Sequence, residues 1–252
     1  MIRILRTFFC AVSLLLMFLF LWQTVIFIFN PPAYLLPQPV MVIKTLYEQK
    51  TLLFDQSLPT LSEALTGFVL GSSFGSITAV ILHRINALRR LIWPALIASQ
   101  ALPAFALAPL LVLWLGYGQA SKIAVCTIML FFPVTSAFYD GLMKTPLLYL
   151  ELAQSMKSST GKTLKHIRIP FALPFLGSGL RLAAVYAPMG AMLGEWVGSS
   201  KGLGFLLLKA NAQMQTDLVF AILIMIIALT LIFYFIVDKL LNITLDRKYR
   251  HP

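Results

Sequence analysis

The chain has 252 residues, of which 59% are hydrophobic and 12% charged, with a mean hydropathy of +0.86. So apolar a composition excludes most soluble enzyme folds: no backbone polar group stays unpaired in lipid, so long recurring apolar stretches must be bundled helices. The net charge of +11 does not point to nucleic acid, because the basic residues stand at the ends of apolar segments, where membrane topology accounts for them.

Met1 to Arg6 followed by an apolar run has the charge layout of a signal peptide, but the run reaches Phe29 and no small-x-small cleavage site follows. An uncleaved first helix is expected. Spans are predicted at Phe8 to Phe29, Leu58 to Leu82, Leu91 to Leu115, Ile123 to Phe138, Leu173 to Val197 and Leu218 to Leu241, which makes six transmembrane helices, the fourth short. The third carries Pro94, Pro103 and Pro109, which free backbone carbonyls and invite kinks. The outer segment from Asn30 to Ser57 opens with Pro31, Pro32, Pro37 and Pro39, then reads as a short amphipathic helix around Val40 to Glu48 lying at the outer interface. The inner segment from Asp140 to Ala172 is the longest cytoplasmic piece and too polar to span, so a soluble partner arriving from inside docks there. The chain, 1–252, is thus read as one all-α membrane domain, with the inner loop at about 140–172.

Orientation follows from the Lys and Arg residues. With the N-terminus inside, fourteen of the twenty fall on the cytoplasmic side, among them Lys144, Arg247, Lys248 and Arg250, and five fall outside: Lys44, Lys50, Lys122, Lys201 and Lys209. Arg181 lies within the fifth span. The positive-inside rule then puts both termini in the cytoplasm of a multi-pass inner-membrane protein.

The inner segment reads Glu151-Leu152-Ala153-Gln154-Ser155-Met156-Lys157, continues from Ser158 to Arg168, and closes with Ile169-Pro170. It resembles the cytoplasmic EAA loop of ABC importer permeases: Glu, a small residue two on, Gly six on, Ile at sixteen, an aliphatic at eighteen and Pro at nineteen. Glu151, Ala153, Ile167, Ile169 and Pro170 fall on those offsets, while Lys157 stands at the glycine position and Gly161 follows four residues later. A left-handed lysine costs roughly 1–2 kcal/mol, so the turn is expected through Ser158-Ser159-Thr160-Gly161, with Pro170 and Pro174 breaking the chain before the fifth span. The resemblance implies the type I importer permease fold, with a short coupling helix that docks on a cytosolic ATP-binding subunit whose closure swings the bundle between inward- and outward-open states. Lys157 to Thr163 also ends like a phosphate-binding P-loop, but Met156 occupies the first glycine position and no strand precedes it, so this chain is not expected to hydrolyse ATP.

Residues Pro103 to Trp114, then Gly116-Tyr117-Gly118 and Ser121-Lys122-Ile123, resemble the middle helices of the nitrate, sulfonate, taurine and thiamine-precursor permeases, as do Gly194-Glu195-Trp196-Val197-Gly198 and Gly202-Leu203-Gly204-Phe205. Asn211 to Asp217 is most like the branch importing hydroxymethylpyrimidine-type thiamine precursors. The resemblance implies a periplasmic substrate-binding protein as second partner and a homodimer, since one six-helix chain is too small for a two-sided pathway.

That pathway is expected between two copies, lined by the third and fifth helices, with Pro103 and Pro109 in a small-residue wall that also holds Ala101, Ala104, Ala106 and Ala108. Glu195, beside Trp196 at the outer end of the fifth span, either contacts a cationic or amino-bearing substrate or bonds the docked binding protein or the neighbouring loop. Arg181, about 12 Å along the helix from Leu173, is expected to snorkel to the inner surface. Glu63 and Asp238 are placed near interfaces, and Gly71, Gly75, Gly177, Gly179, Gly190 and Gly194 at close helix approaches. Cys10 and Cys126 are read as lipid-facing or packing residues, and His83, His166 and His251 show no ligand geometry; no metal, cofactor or catalytic residue is expected. A self-powered transporter would show inverted repeats and charged mid-membrane sites, and a membrane enzyme clustered acids or a nucleophile with its base; neither pattern is present.

Overall fold

A computed structural model describes residues 2–246, and all its regular elements are helical. The expectations for Arg247, Lys248, Arg250 and His251, and for the side chains of Arg3, Arg6, Cys10 and Ala104, lie outside the described residues. Helix α1 spans Ile2–Phe29, and after the proline-rich outer segment α2 spans Pro39–Glu48, close to the predicted amphipathic helix, with a proline in its first turn where no N–H is needed. Helix α3 follows at once as Lys50–Arg84.

The third predicted span is two helices. α4 (Asn86–Gln100) and α5 (Ala104–Leu115) meet at 107°. The break falls at Pro103, whose backbone is extended (φ −60°, ψ 126°); Pro94 and Pro109 stay inside their helices. α6 (Gln119–Met143) overruns the expected Ile123–Phe138 at both ends, because Lys122 is buried rather than marking a wet boundary and Pro133 is absorbed within the helix.

The inner segment folds as α7 (Leu147–Ser155), one short turn α8 (Thr160–Thr163) and a π-turn over Leu164–Arg168 that runs directly into α9 (Ile169–Glu195). Outside the expected spans, a ten-residue helix α10 (Leu203–Ala212) precedes α11 (Thr216–Leu241). Among the described residues four helices are long and apolar enough to cross a membrane, Lys50–Arg84, Gln119–Met143, Thr160–Glu195 and Thr216–Thr244, or five if the bent α4–α5 pair counts as one span.

The bundle centres on α3, α6 and α9, with α11 against α9 and α5 against α6. Its core is built from small residues, Ala64, Cys126, Ala183, Ala184, Ala187 and Ala191, with Leu130 and Val134. Lipid supplies no hydrophobic drive between helices, so backbones must approach closely to gain van der Waals contact. A Cβ at Gly71 would stand 2.9 Å from that of Leu130, and one at Gly179 2.8 Å from that of Ala137, as expected for glycines at close crossings.

Candidate functional site

At one end of the bundle, α7 exposes Leu147, Leu148 and Leu152, with Met156 just beyond it, together with Glu151, and buries only Ala153. The small residue is thus the one turned inward. The turn expected through Gly161 forms earlier, at Lys157, whose φ is 52°. Ser158 N–H donates to Ala153 O and Lys157 N–H to Gln154 O, both at 2.9 Å, which closes a Schellman cap. These two bonds satisfy carbonyls at the end of α7 and offset the left-handed strain of about 1–2 kcal/mol. Gly161 is helical, inside α8.

Pro170 and Pro174 do not break the chain. Ile169 N–H reaches back five residues to Leu164 O, so the wider π-turn accommodates the missing N–H of Pro170 and the helix continues from Thr160 to Glu195. Ile167 sits in the π-turn, and Ile169 and Pro170 open α9. Arg168 donates from Nη1 to Leu142 O at 3.0 Å, tying the segment to the end of α6. Arg181 does not simply snorkel: its Nε lies 2.6 Å from Asp238 Oδ1, and Nη2 donates to Asn242 Oδ1 at 3.1 Å.

At the opposite end, where α9 finishes, Glu195 is 1% exposed and faces no open mouth. Its Oε1 accepts from Thr60 Oγ1 and its Oε2 from Gly204 N–H, each at 2.6 Å. Thr60 Oγ1 in turn accepts from Leu203 N–H at 2.9 Å, and Gln56 Oε1 from Gly202 N–H at 2.7 Å. Three successive N–H groups that would be orphaned at the start of α10 are therefore captured by side chains of α3 and α9. Of the two readings of Glu195, the geometry is that of the bond to the neighbouring loop.

Beside this cap, Glu63 and Lys122 are buried together, with Nζ 3.4 Å from Oε1. Glu63 therefore points into the bundle, and Oε2 of its carboxyl has no hydrogen-bond partner among the described residues. α9 presses onto the pair, since a Cβ at Gly194 would lie 2.8 Å from Lys122 Cα. Sequence reasoning missed Gln56, Thr60 and Glu63 as a group; their spacing of four and three residues on one helix face was the available signal. Pro103 and Pro109 are exposed along the bent pair with Ala101 and Ala106, whereas Ala108 turns away into a core with Leu111 and Val125.

The family described as binding-protein-dependent transport system inner membrane component matches residues 71–244. A probable ABC transporter permease protein of Haemophilus influenzae is 46% identical, covering 89% of this chain and 91% of that protein. The formylaminopyrimidine transport permease protein ThiX of Halalkalibacterium halodurans is 34% identical over 91% and 92% of the two chains. The riboflavin transport system permease protein RibX of Chloroflexus aurantiacus is 33% identical over 88% and 84%. Among solved structures, an inward-facing form of the MetNI methionine ABC transporter superposes with a TM-score of 0.68 at 18% identity, covering 77% of this chain and 97% of the other. The chain belongs to the binding-protein-dependent transport inner membrane components and is the multi-pass permease subunit of an ABC importer.

Proposed function

We propose that this permease imports a hydroxymethylpyrimidine-type thiamine precursor through a pathway between two copies of the chain, powered by a cytosolic ATP-binding subunit that docks on α7. The observation that carries the coupling role is α7 itself. A helix outside the bundle that exposes three leucines, a methionine and Glu151 offers an apolar face with one charge for a cleft on a partner. Ala153, Gly161, Ile167, Ile169 and Pro170 belong to the same continuous segment, so a displacement of α7 is passed into α9. ATP hydrolysis is assigned to the partner, and substrate delivery to a periplasmic binding protein at the α10 end. The kinked α4–α5 pair, with Pro103 and Pro109 on its open surface and no buried residue in α4, is placed along the pathway between the two copies.

The thiamine-precursor assignment is supported by the name of the ThiX relative and by the Asn211–Asp217 turn, where Met214 is 74% exposed and Asp217 Oδ2 accepts from Thr45 Oγ1 at 2.7 Å. The RibX relative, almost equally similar, favours a second reading in which the cargo is a larger nitrogen heteroaromatic of the riboflavin kind. The test is uptake of labelled hydroxymethylpyrimidine into vesicles holding the permease, the ATPase and the binding protein. Glu151→Lys is expected to lower ATP-driven uptake roughly tenfold or more and to reduce copurification of the ATPase. Unchanged uptake and complex yield would remove the docking role. Competition by taurine or an alkylsulfonate but not by the aminopyrimidine would remove the substrate, and competition by riboflavin would select the second reading.

Orientation is proposed with α7 and both termini in the cytoplasm. Lys122, paired inside the bundle, no longer weighs in the count of outer charges, which leaves Lys44, Lys50, Lys201 and Lys209 against the basic inner loop. Topology reporters at Lys50 and Lys201 are expected to register outside and one at Lys144 inside; any reversal would require the adjoining spans to be redrawn.

A further inference from the structure

Between the inner end of α3, the helix α7 and the segment after it lies a cavity of about 560 Å³ whose polar lining is His83, Arg84, Gln154, Ser158, Thr160, Thr163 and Arg168. No carboxylate lines it. The Arg84 side chain makes no ion pair or hydrogen bond among the described residues, and its guanidinium reaches over Gly161, where a Cβ would stand 3.7 Å from Nη2. Arg168 commits Nη1 to Leu142 O, and His83 Nδ1 is buried with no hydrogen-bond partner among the described residues. Across the α3–α4 turn a second hollow of about 430 Å³ is lined by Arg89, Arg90 and Trp93 and again by no acid.

Two guanidinium groups share this cavity with no counter-charge among its lining residues, so their mutual repulsion is relieved when an anion joins them, and planar guanidinium donors match phosphoryl oxygens in pairs. We infer that this cavity is a phosphoryl-anion site, in which Arg84 and Arg168 hold the charge and the hydroxyls of Thr160 and Ser158 complete the shell, while Thr163 Oγ1 donates to Ser159 O and Ser158 Oγ and holds the turn. Its place at the end of a span, beside exposed Ile81 and Ile85, suits the headgroup of an anionic phospholipid; a free phosphate presents the same chemistry. Either ligand would join the end of α3 to the α8 turn. The site does not depend on which nutrient is carried, and although Leu150 and Gln154 of α7 line it, binding is read on the permease chain without the ATPase, so its failure and that of the transport reading are separable.

The test uses the purified full-length chain in detergent, exposed to phosphatidylglycerol, phosphatidylcholine or inorganic phosphate. Retained lipid is read by native mass spectrometry and bound phosphate by equilibrium dialysis. Phosphatidylglycerol is expected to be retained over phosphatidylcholine, and Arg84→Ala to weaken retention about tenfold. Phosphate binding with the same Arg84 dependence but no lipid selection would also support the site and assign it to the free ion. Binding of neither, or binding unchanged in both Arg84→Ala and Arg84→Glu, overturns the inference. Should the arginine variants not fold, Thr160→Val keeps the side-chain volume and is expected to weaken binding about threefold; unchanged affinity there overturns it equally.

Discussion

Replacing Lys122 by Met is expected to destabilise the bundle by about 3–5 kcal/mol, because it strips the counter-ion from a carboxylate that has no route to water. Glu63 is 1% exposed and Lys122 7%, so neither can turn outward when its partner is lost. Glu63 Oε2 already lacks a partner, and α9 closes the site through Gly194. The double variant Glu63→Gln with Lys122→Met removes both charges and is expected to recover most of the loss, since an isolated ion costs more than a neutral pair of similar volume. Thermal unfolding of the purified permease in detergent would read both. A single Lys122→Met variant as stable as the starting protein would show that the pair bears no weight.

Gly202→Ala is expected to release α10. Gly202 has φ 108° and ψ 161°, a region open essentially to glycine alone, and a Cβ there would fall on the carboxyl group of Glu195. The strain and the overlap together are worth about 3 kcal/mol or more, and they act on the point where Gln56, Thr60 and Glu195 gather the three N–H groups. Hydrogen exchange over residues 203–212 is expected to accelerate about a hundredfold while α3 and α6 stay protected. Glu195→Gln keeps an acceptor and should give a milder loss. Unaltered exchange in Gly202→Ala would mean that α10 is held by something other than this cap.

The apolar runs in the sequence carry α3, α6, α9 and α11, and the fixed offsets from Glu151 to Pro170 pick out the inner segment, because hydrophobic patterning and spacing are properties of the chain alone. Proline behaviour is less legible. Pro94, Pro103 and Pro109 look alike in sequence, yet only Pro103 breaks a helix, and Pro170 is absorbed by a π-turn whose hydrogen-bond register residue types do not reveal. At Lys157 steric cost argued for moving the turn to Gly161, but the gain from two capping bonds keeps it in place. The pairings of Glu63 with Lys122 and of Glu195 with Thr60 and Gly204 join residues on different helices, and no periodicity within one helix reports its neighbour's register. The two readings of Glu195 were separable only by locating the start of α10.

The unbroken helix from Thr160 to Glu195 has 36 residues and so is about 54 Å long. One end lies beside the hydroxyl-rich turn after α7, and the other holds α10 through Glu195. Such a rod would serve the proposed coupling as a lever arm: pivoted at the α8 end, a tilt of one degree sweeps the far tip through about 1 Å. Because α10 is bolted to that tip, its position on one face of the membrane reports the angle set on the other.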